Sequence, residues 1–244
     1  TDPASYFLWI MNNPTRANEK EYVLTEKASI QQLDERLMAC YASAVHDVLR
    51  GLGIDNCVLP PEIMALSPGQ KLAGEIYTIS GHIDRTLSRH DSLLAWTQVL
   101  SKVPGGKVLV CQPNTKEIAL MGELSARALM VKDTKGYVVD GRCRDVDFIL
   151  DLDFPVFCDL NTPADIVERW TYDRLGDPIS IGTVTICSGD WLIADRDGVV
   201  VIPGDIAEQV VGETEKVMST ESEMRDAILA GMDPEQAYLK YGKF

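Results

Sequence analysis

"GELSARALMVKDTKGYVVDGRCRDVDFIL", residues 122–150, holds a helix and a strand of matched length, and that match decides the fold. Gly122 and the Gly136 turn bracket a helical pattern of about eleven residues, from Glu123 to about Asp133. Tyr137, Val138 and Val139 are strand formers. Charge follows at once, in Asp140, Arg142, Arg144, Asp145 and Asp147. The helix spans roughly 16 Å at about 1.5 Å per residue. A returning strand from about Gly136 to Gly141 covers a similar distance at about 3.3 Å per residue. The far ends therefore meet, which sets Glu123 and the amides of Leu124 and Ser125 near the loop carrying Arg142, Arg144 and Asp145.

Two readings of that junction stand side by side. Charge at a strand end and Glu at a helix start also occur where a turn simply meets water and a carboxylate complements the helix dipole. The chemical reading is a pocket for a small 2-oxo acid. First-turn amides favour an anionic group, and Arg144 offers a bidentate fork for a carboxylate. Asp145 is a hard oxygen ligand suited to Mg²⁺, which takes few protein carboxylates and keeps several waters. Glu123 is placed to accept a proton from a water on that metal.

Working outward, residues 1–27 hold Pro3, Pro14 and mixed charge and read as an N-terminal arm. Residues 28–244 read as a single domain with a helical C-terminal tail. "SIQQLDERLMACYASAVHDVLRGLG" repeats apolar residues at helical spacing until Gly51 and Gly53. "PGQKLAGEIYTISG" is a turn and a strand, "DSLLAWTQVLSKV" a helix with Asp91 at its start, and "GGKVLVCQP" a strand. "FPVFCDL" is a short apolar strand, and "WLIADRDGVVVIP" a hairpin turning at Arg196-Asp197-Gly198. A long amphipathic helix follows, with Val210, Val217, Met224 and Ile228 on one face.

A net charge of -14 and a pI near 4.6 argue against a sequence-independent grip on nucleic acid and against anionic membrane surfaces. No segment approaches the roughly 20 apolar residues of a membrane span, and no signal-like run is seen. The six cysteines are scattered without a C-x-x-C pair, so neither zinc ligation nor redox chemistry has spacing support. Apolar settings such as "VLVCQP" and "VTICSG" predict buried, reduced thiols and a cytoplasmic protein. His82 and His90 show no metal-ligand spacing, and no nucleophile elbow or phosphate loop is present.

The stretch "GELSARALMVKDTKGYVVDGRCRDVD" resembles the signature of the RraA-like family, which includes 4-hydroxy-4-methyl-2-oxoglutarate/4-carboxy-4-hydroxy-2-oxoadipate aldolases. In that signature an acidic residue, twenty positions and an Arg-Asp pair follow in order, as Glu123 and Arg144-Asp145 do. "SAVHDVLRGLG", "SPGQKLAGEIYTI", "DFPVFC" and "SGDWLIADRDGVVVIPGD" extend the likeness over residues 33–232. The resemblance implies a compact layered α/β sandwich of the swivelling phosphohistidine-domain type, assembled as a homotrimer or a dimer of trimers. It implies that Asp145 holds Mg²⁺ or Mn²⁺ and that Arg144 contacts the keto acid. Gly122 and the amides of Leu124 and Ser125 would bind its carboxylate, and Glu123 would serve in proton transfer. The implied activity is a metal-dependent pyruvate aldolase that also decarboxylates oxaloacetate, both through a pyruvate enolate stabilised by metal and arginine.

The chain departs from the family at Phe148, where an acidic residue is common, and Arg142 adds a charge selecting a more acidic substrate. Glu221 or Glu223 of the tail is a candidate to reach a neighbour's site. Two alternatives stand: a Schiff-base lyase using Lys132 or Lys135, and a non-catalytic regulator binding a ribonuclease.

Overall fold

The computed structural model describes residues 32–242, so the arm at residues 1–27 lies outside the described residues. Among the described residues two helices come first, residues 32–39 (α1) and Ala42–Gly51 (α2). The sequence pattern reads them as one helix. The chain breaks instead at Cys40 and Tyr41, where Tyr41 is extended at φ -129° and ψ 153°. Two polar contacts fix the break: Ala42 N donates to Asp195 Oδ2 at 2.8 Å, and Lys71 Nζ donates to Cys40 O.

The sheet is built from β1 (Met64–Ala65), β2 (Leu72–Ile83), β3 (Val108–Gln112), β5 (Gly136–Val139), β7 (Val156–Cys158), β8 (Trp170–Leu175), β11 (Trp191–Asp195) and β12 (Gly198–Ile202). A short parallel pair, β4 (Ala119–Met121) with β6 (Arg142–Cys143), lies apart. So does the hairpin β9 (Ile179–Ile181) and β10 (Val184–Ile186). The main order is β1-β7-β5-β3-β2-β11-β12, with β8 pairing the second half of β2. Central β2 runs parallel to β3 but antiparallel to β11, so parallel and antiparallel halves meet on one strand.

One segment closes the sheet. Val58 bridges Val200 at the β12 edge, flanked by Leu59 N to Val199 O at 3.0 Å and Val201 N to Cys57 O at 2.8 Å. A few residues later Met64 and Ala65 pair with Cys158 and Phe157 of β7. The two-residue side-chain period then sorts the strands into an inside and an outside. Val108, Val110, Val138, Phe157, Leu192 and Val201 fill the interior. Their neighbours Leu109, Cys111, Tyr137, Val139, Val156 and Cys158 face an outer layer. Strands buried on both faces explain the unbroken apolar runs "VLVC" and "YVV".

That outer layer holds α3 (Arg89–Lys102), α4 (Glu123–Val131) and the short α5 (Val146–Asp151). The start of α3 falls two residues before Asp91, because Ser88 is the cap: its Oγ accepts from Asp91 N at 3.1 Å. α4 has nine residues, not eleven. Trp96 on α3 meets Trp170 edge-on, centroids 5.9 Å apart. Trp170 also packs where Gly81 has no side chain; a Cβ there would stand 2.0 Å from the indole. On the opposite side, α1, α2 and the long α6 (Ala207–Leu229) cover β11 and β12 through Trp191, Ile193, Val200 and Ile202. Val210 and Met224 are buried as the amphipathic pattern requires. A further helix, α7 (Pro234–Tyr241), not foreseen in the pattern, is capped by Asp233. The expected layered α/β fold with a long C-terminal helix is thus present, its sheet curled into a nearly closed barrel.

Five described cysteines are buried, as expected, but Cys187 of "VTICSG" is exposed because the segment ends β10 at the surface. Among the described residues, no helix is long and apolar enough to cross a membrane.

Candidate active site

The β4/β6 pair brings the two halves of the signature together. Its strands run in the same direction, and each ends in a helix: β4 leads through Gly122 into α4, and β6 through Arg144 and Asp145 into α5. Arg144 N donates to Met121 O at 2.8 Å, fixing one strand end against the other. Asp145 then turns the chain in the left-handed region at φ 55°. Asp accepts that conformation more readily than most residues. The turn carries its carboxylate across to the first turn of α4, where Oδ2 accepts from Glu123 N at 3.2 Å. Matched lengths of helix and strand predict this meeting.

Gly122 makes the approach possible. A Cβ at this position would lie 2.7 Å from Asp145 Oδ2 and 3.1 Å from Arg144 Cγ. The glycine is needed for proximity and not for backbone freedom, since its φ of -147° is open to any residue. Leu124 and Ser125 supply first-turn amides, which a helix leaves without an intrahelical carbonyl. The Ser125 side chain is otherwise engaged: its Oγ accepts from Trp96 Nε1 at 2.8 Å, which ties the start of α4 to α3. Leu124 projects into solvent at 79% exposure.

Side-chain charges at the junction are partly paired. Glu123 Oε1 accepts from Arg127 Nε at 2.8 Å. Arg144 Nε stands 3.4 Å from Asp145 Oδ1, and its Nη1 stands 3.4 Å from Asp165 Oδ2. Three carboxylates against two guanidiniums leave the cluster one net negative. An open cleft of about 300 Å³ adjoins it, lined by Cys143, Arg144, Asp145, Val146, Asn161, Thr162 and Pro163. Gly122, Leu124 and Ser125 are not among these walls. Glu123 is not among them either; this segment adjoins the cleft through its contacts with Arg144 and Asp145.

Asn161, Thr162, Pro163 and Asp165 were missed by sequence reasoning. They belong to the loop after β7, which Cys143 holds from both sides: Cys143 N donates to Leu160 O at 3.1 Å, and Thr162 N to Cys143 O at 3.0 Å. The available signal was "CDLNTPAD", a polar run directly after a short parallel strand, where ligands gather in open α/β sheets.

Other candidates separate from this cluster. Cys143 is fully buried, and its contact with Cys158, with burial, pushes its thiol above the usual range. Lys132 Nζ donates to Leu100 O and Ser101 O, at 3.1 and 2.6 Å, capping the end of α3. Lys135 pairs with Asp34. Both lysines stand beyond the C-terminal end of α4, the end remote from Glu123. Arg142 lies half-buried and outside the cleft walls, its Nε without a partner. Phe148 is 56% exposed on α5. Glu221 accepts from Tyr41 of its own chain, and Glu223 is exposed.

No group of three His, Cys, Asp or Glu side chains suited to a metal occurs among the described residues. The donor set at Asp145 nevertheless fits a largely hydrated Mg²⁺. One carboxylate has each oxygen engaged in a single contact at 3.2 and 3.4 Å, with lone pairs to spare, inside a cluster of net negative charge.

Comparisons with known proteins bear on the family and the fold as a whole. The RraA-like family model, described as Aldolase/RraA, matches residues 42–201. Protein DlpA of Legionella pneumophila is 32% identical over 222 residues, covering 89% of this chain. The chain spans 35% of that protein's length, about a third of it. A protein of Halalkalibacterium halodurans provisionally named 4-hydroxy-4-methyl-2-oxoglutarate aldolase is 26% identical, with 81% of this chain and 89% of that one covered. Among solved structures, an uncharacterized protein from Pseudomonas syringae pv. tomato superposes with TM-score 0.78 at 26% identity, covering 86% of this chain and 94% of that one. Streptomyces coelicolor RraAS2, described as an unusual member of the RNase ES inhibitor RraA family, gives 0.71 at 28% identity, covering 80% and 96%.

Proposed function

Because the chain belongs to the RraA-like family, we propose that it is a divalent-metal-dependent carbon–carbon lyase, cleaving a 4-hydroxy-2-oxo acid to pyruvate and also decarboxylating oxaloacetate. The observation that carries this reading is the convergence of Glu123, Arg144 and Asp145 at one helix start, with Asp145 Oδ2 3.2 Å from Glu123 N. The provisional aldolase name of the Halalkalibacterium relative supports the reaction class.

When bound at Asp145, Mg²⁺ or Mn²⁺ supplies Lewis-acid polarisation of the substrate's 2-oxo group. The chain's own residues do the rest. Arg144, with Nε and one Nη1 proton directed at carboxylates, keeps its remaining N–H donors for the keto acid. There they stabilise the negative charge that grows on the 2-oxo oxygen as the C3–C4 bond breaks. Glu123, with Oε1 held by Arg127, leaves Oε2 to take the proton of the substrate's 4-hydroxyl, directly or through water. The bonding pair passes to C3, the 4-carbon leaves as a carbonyl, and protonation at C3 gives pyruvate. Loss of CO₂ from oxaloacetate places charge on the same oxygen, so the same groups serve it. The first-turn amides of Leu124 and Ser125 are assigned to the substrate's 1-carboxylate.

The test is pyruvate release from 4-hydroxy-2-oxo diacids and from oxaloacetate, with Mg²⁺ or Mn²⁺ and again with EDTA. Turnover that disappears on chelation and in Asp145→Ala is expected. No turnover of either substrate with either metal sinks the proposal, and ribonuclease binding in its place would favour the regulator, as the description of RraAS2 allows.

A further inference from the structure

We propose that Asp165 is a positioning residue that sets the specificity of the cleft, holding the outer edge of Arg144 until a ligand carboxylate replaces it. The inference rests on the proposed function for the anionic nature of the ligand. Its physical basis is the way Arg144 is held. The guanidinium lies between Asp145 on its Nε edge and Asp165 on Nη1, each 3.4 Å away. Strong charge-assisted contacts lie closer, at about 2.7–2.9 Å. A 3.4 Å pair between groups 34% and 44% exposed is therefore weak and exchangeable.

Asp165 itself is not free to follow the arginine. Its Oδ1 accepts from Val167 N at 3.2 Å, which fixes the carboxylate in a local turn. The backbone is pinned on both sides: Ala119 N donates to Ala164 O at 2.9 Å, and Ile166 is buried in the outer core. A carboxylate rigidly held beside the substrate-binding arginine is a built-in competitor. It keeps the guanidinium over the cleft, and it opposes any ligand that does not bring enough negative charge of its own to displace it.

Asp165→Asn separates this role from a structural one, because Asn Oδ1 still accepts from Val167 N while the charge facing Arg144 is gone. Oxalate, a planar dianion of the size of pyruvate enolate, is the probe, with binding followed by calorimetry. Asp165→Asn is expected to tighten oxalate by about three- to fivefold. It should lower KM for the keto acid by a similar factor with kcat within about twofold. Unchanged or weaker oxalate binding in a folded Asp165→Asn protein overturns the inference. So does the absence of binding in both proteins, since removing the competitor should reveal the site. If oxalate behaves as expected but no 4-hydroxy-2-oxo acid is cleaved, the lyase reading fails while the role of Asp165 stands.

Discussion

The two ends of α4 carry similar charges in opposite circumstances. At its start, Glu123, Arg144 and Asp145 are each about a third exposed; Glu123 pairs with Arg127 at 2.8 Å, while the contacts across the junction are looser, at 3.2–3.4 Å. Beyond its end, Lys135 packs against Asp34, and Lys107 against Glu75, with side chains only 16–24% exposed. Burial draws the Lys135 ammonium down to about 8; the carboxylate of Asp34, paired with it, favours the charged form. A lysine with a lowered pKa would ordinarily mark a nucleophile. Here the geometry reverses that reading. The perturbed group is locked in a structural pair remote from the cleft, and the groups assigned to chemistry keep unengaged donors and acceptors.

The strongest way to break this contrast is to remove one charge from each end. Arg144→Ala should lower kcat/KM for the keto acid by about 10²- to 10³-fold, with unfolding free energy unchanged within about 0.5 kcal/mol. A large loss of stability would make Arg144 structural. Lys135→Met should do the reverse: it strands Asp34, whose Oδ1 already lacks a hydrogen-bond partner, and costs about 2–3 kcal/mol in urea unfolding. Its turnover should stay within about twofold, and loss of turnover with stability intact would revive the Schiff-base route.

Two smaller effects sharpen the picture. Gly122→Ala pushes a methyl group against Asp145 and Arg144, so kcat should fall about tenfold through misplacement of the carboxylate. Its stability should fall by about 1 kcal/mol, because Gly122 is the N-cap of α4, where alanine is poorer than glycine, and the methyl group displaces the carboxylate bound to Glu123 N. The last effect is a pH slope. Unfolded lysine titrates near 10.4, so between about pH 8 and 10 the unfolded chain binds more protons at Lys135 than the native one. Stability contributed by this site therefore rises through that window, by about 1 kcal/mol once the attraction of Asp34 is discounted, and is flat below it. It must be read as wild type minus Lys135→Met. Buried thiols such as Cys111, pushed up to about 12, contribute the opposite slope. A difference that is flat through this window and falls only above about pH 10 would mean that Asp34 wins and Lys135 stays charged.

How much of this was legible in the sequence follows from distance along the chain. Glu123, Arg144 and Asp145 belong to one helix–strand unit, so element lengths alone bring them together. Asp165 and the Asn161–Pro163 wall reach the same place through a loop whose position is set by hydrogen bonds to Cys143 and Ala119, which no local pattern encodes. β4 and β6 hold three and two residues, too short to show a period, yet they align the two helix starts. The break at Cys40–Tyr41 escaped for a similar reason. Apolar spacing continues through it, and the cause lies in contacts from Lys71 and Asp195.

The closure of the sheet has a consequence for synthesis on the ribosome. Residues 57–65 pair with β7 at one edge and with β12 at the other, so both seams depend on partners far downstream. The parallel strands β3, β5 and β7 can assemble once residue 158 or so has emerged, and the cleft once its Asn161–Pro163 wall follows. The segment at Val58 must wait until Val200 follows. For that interval of translation the nascent chain presents an unpaired apolar edge. Non-local pairing of this kind is slow and exposed to aggregation. The closing segment is thus the place where a folding helper would act and where destabilising substitutions would first show as lost yield.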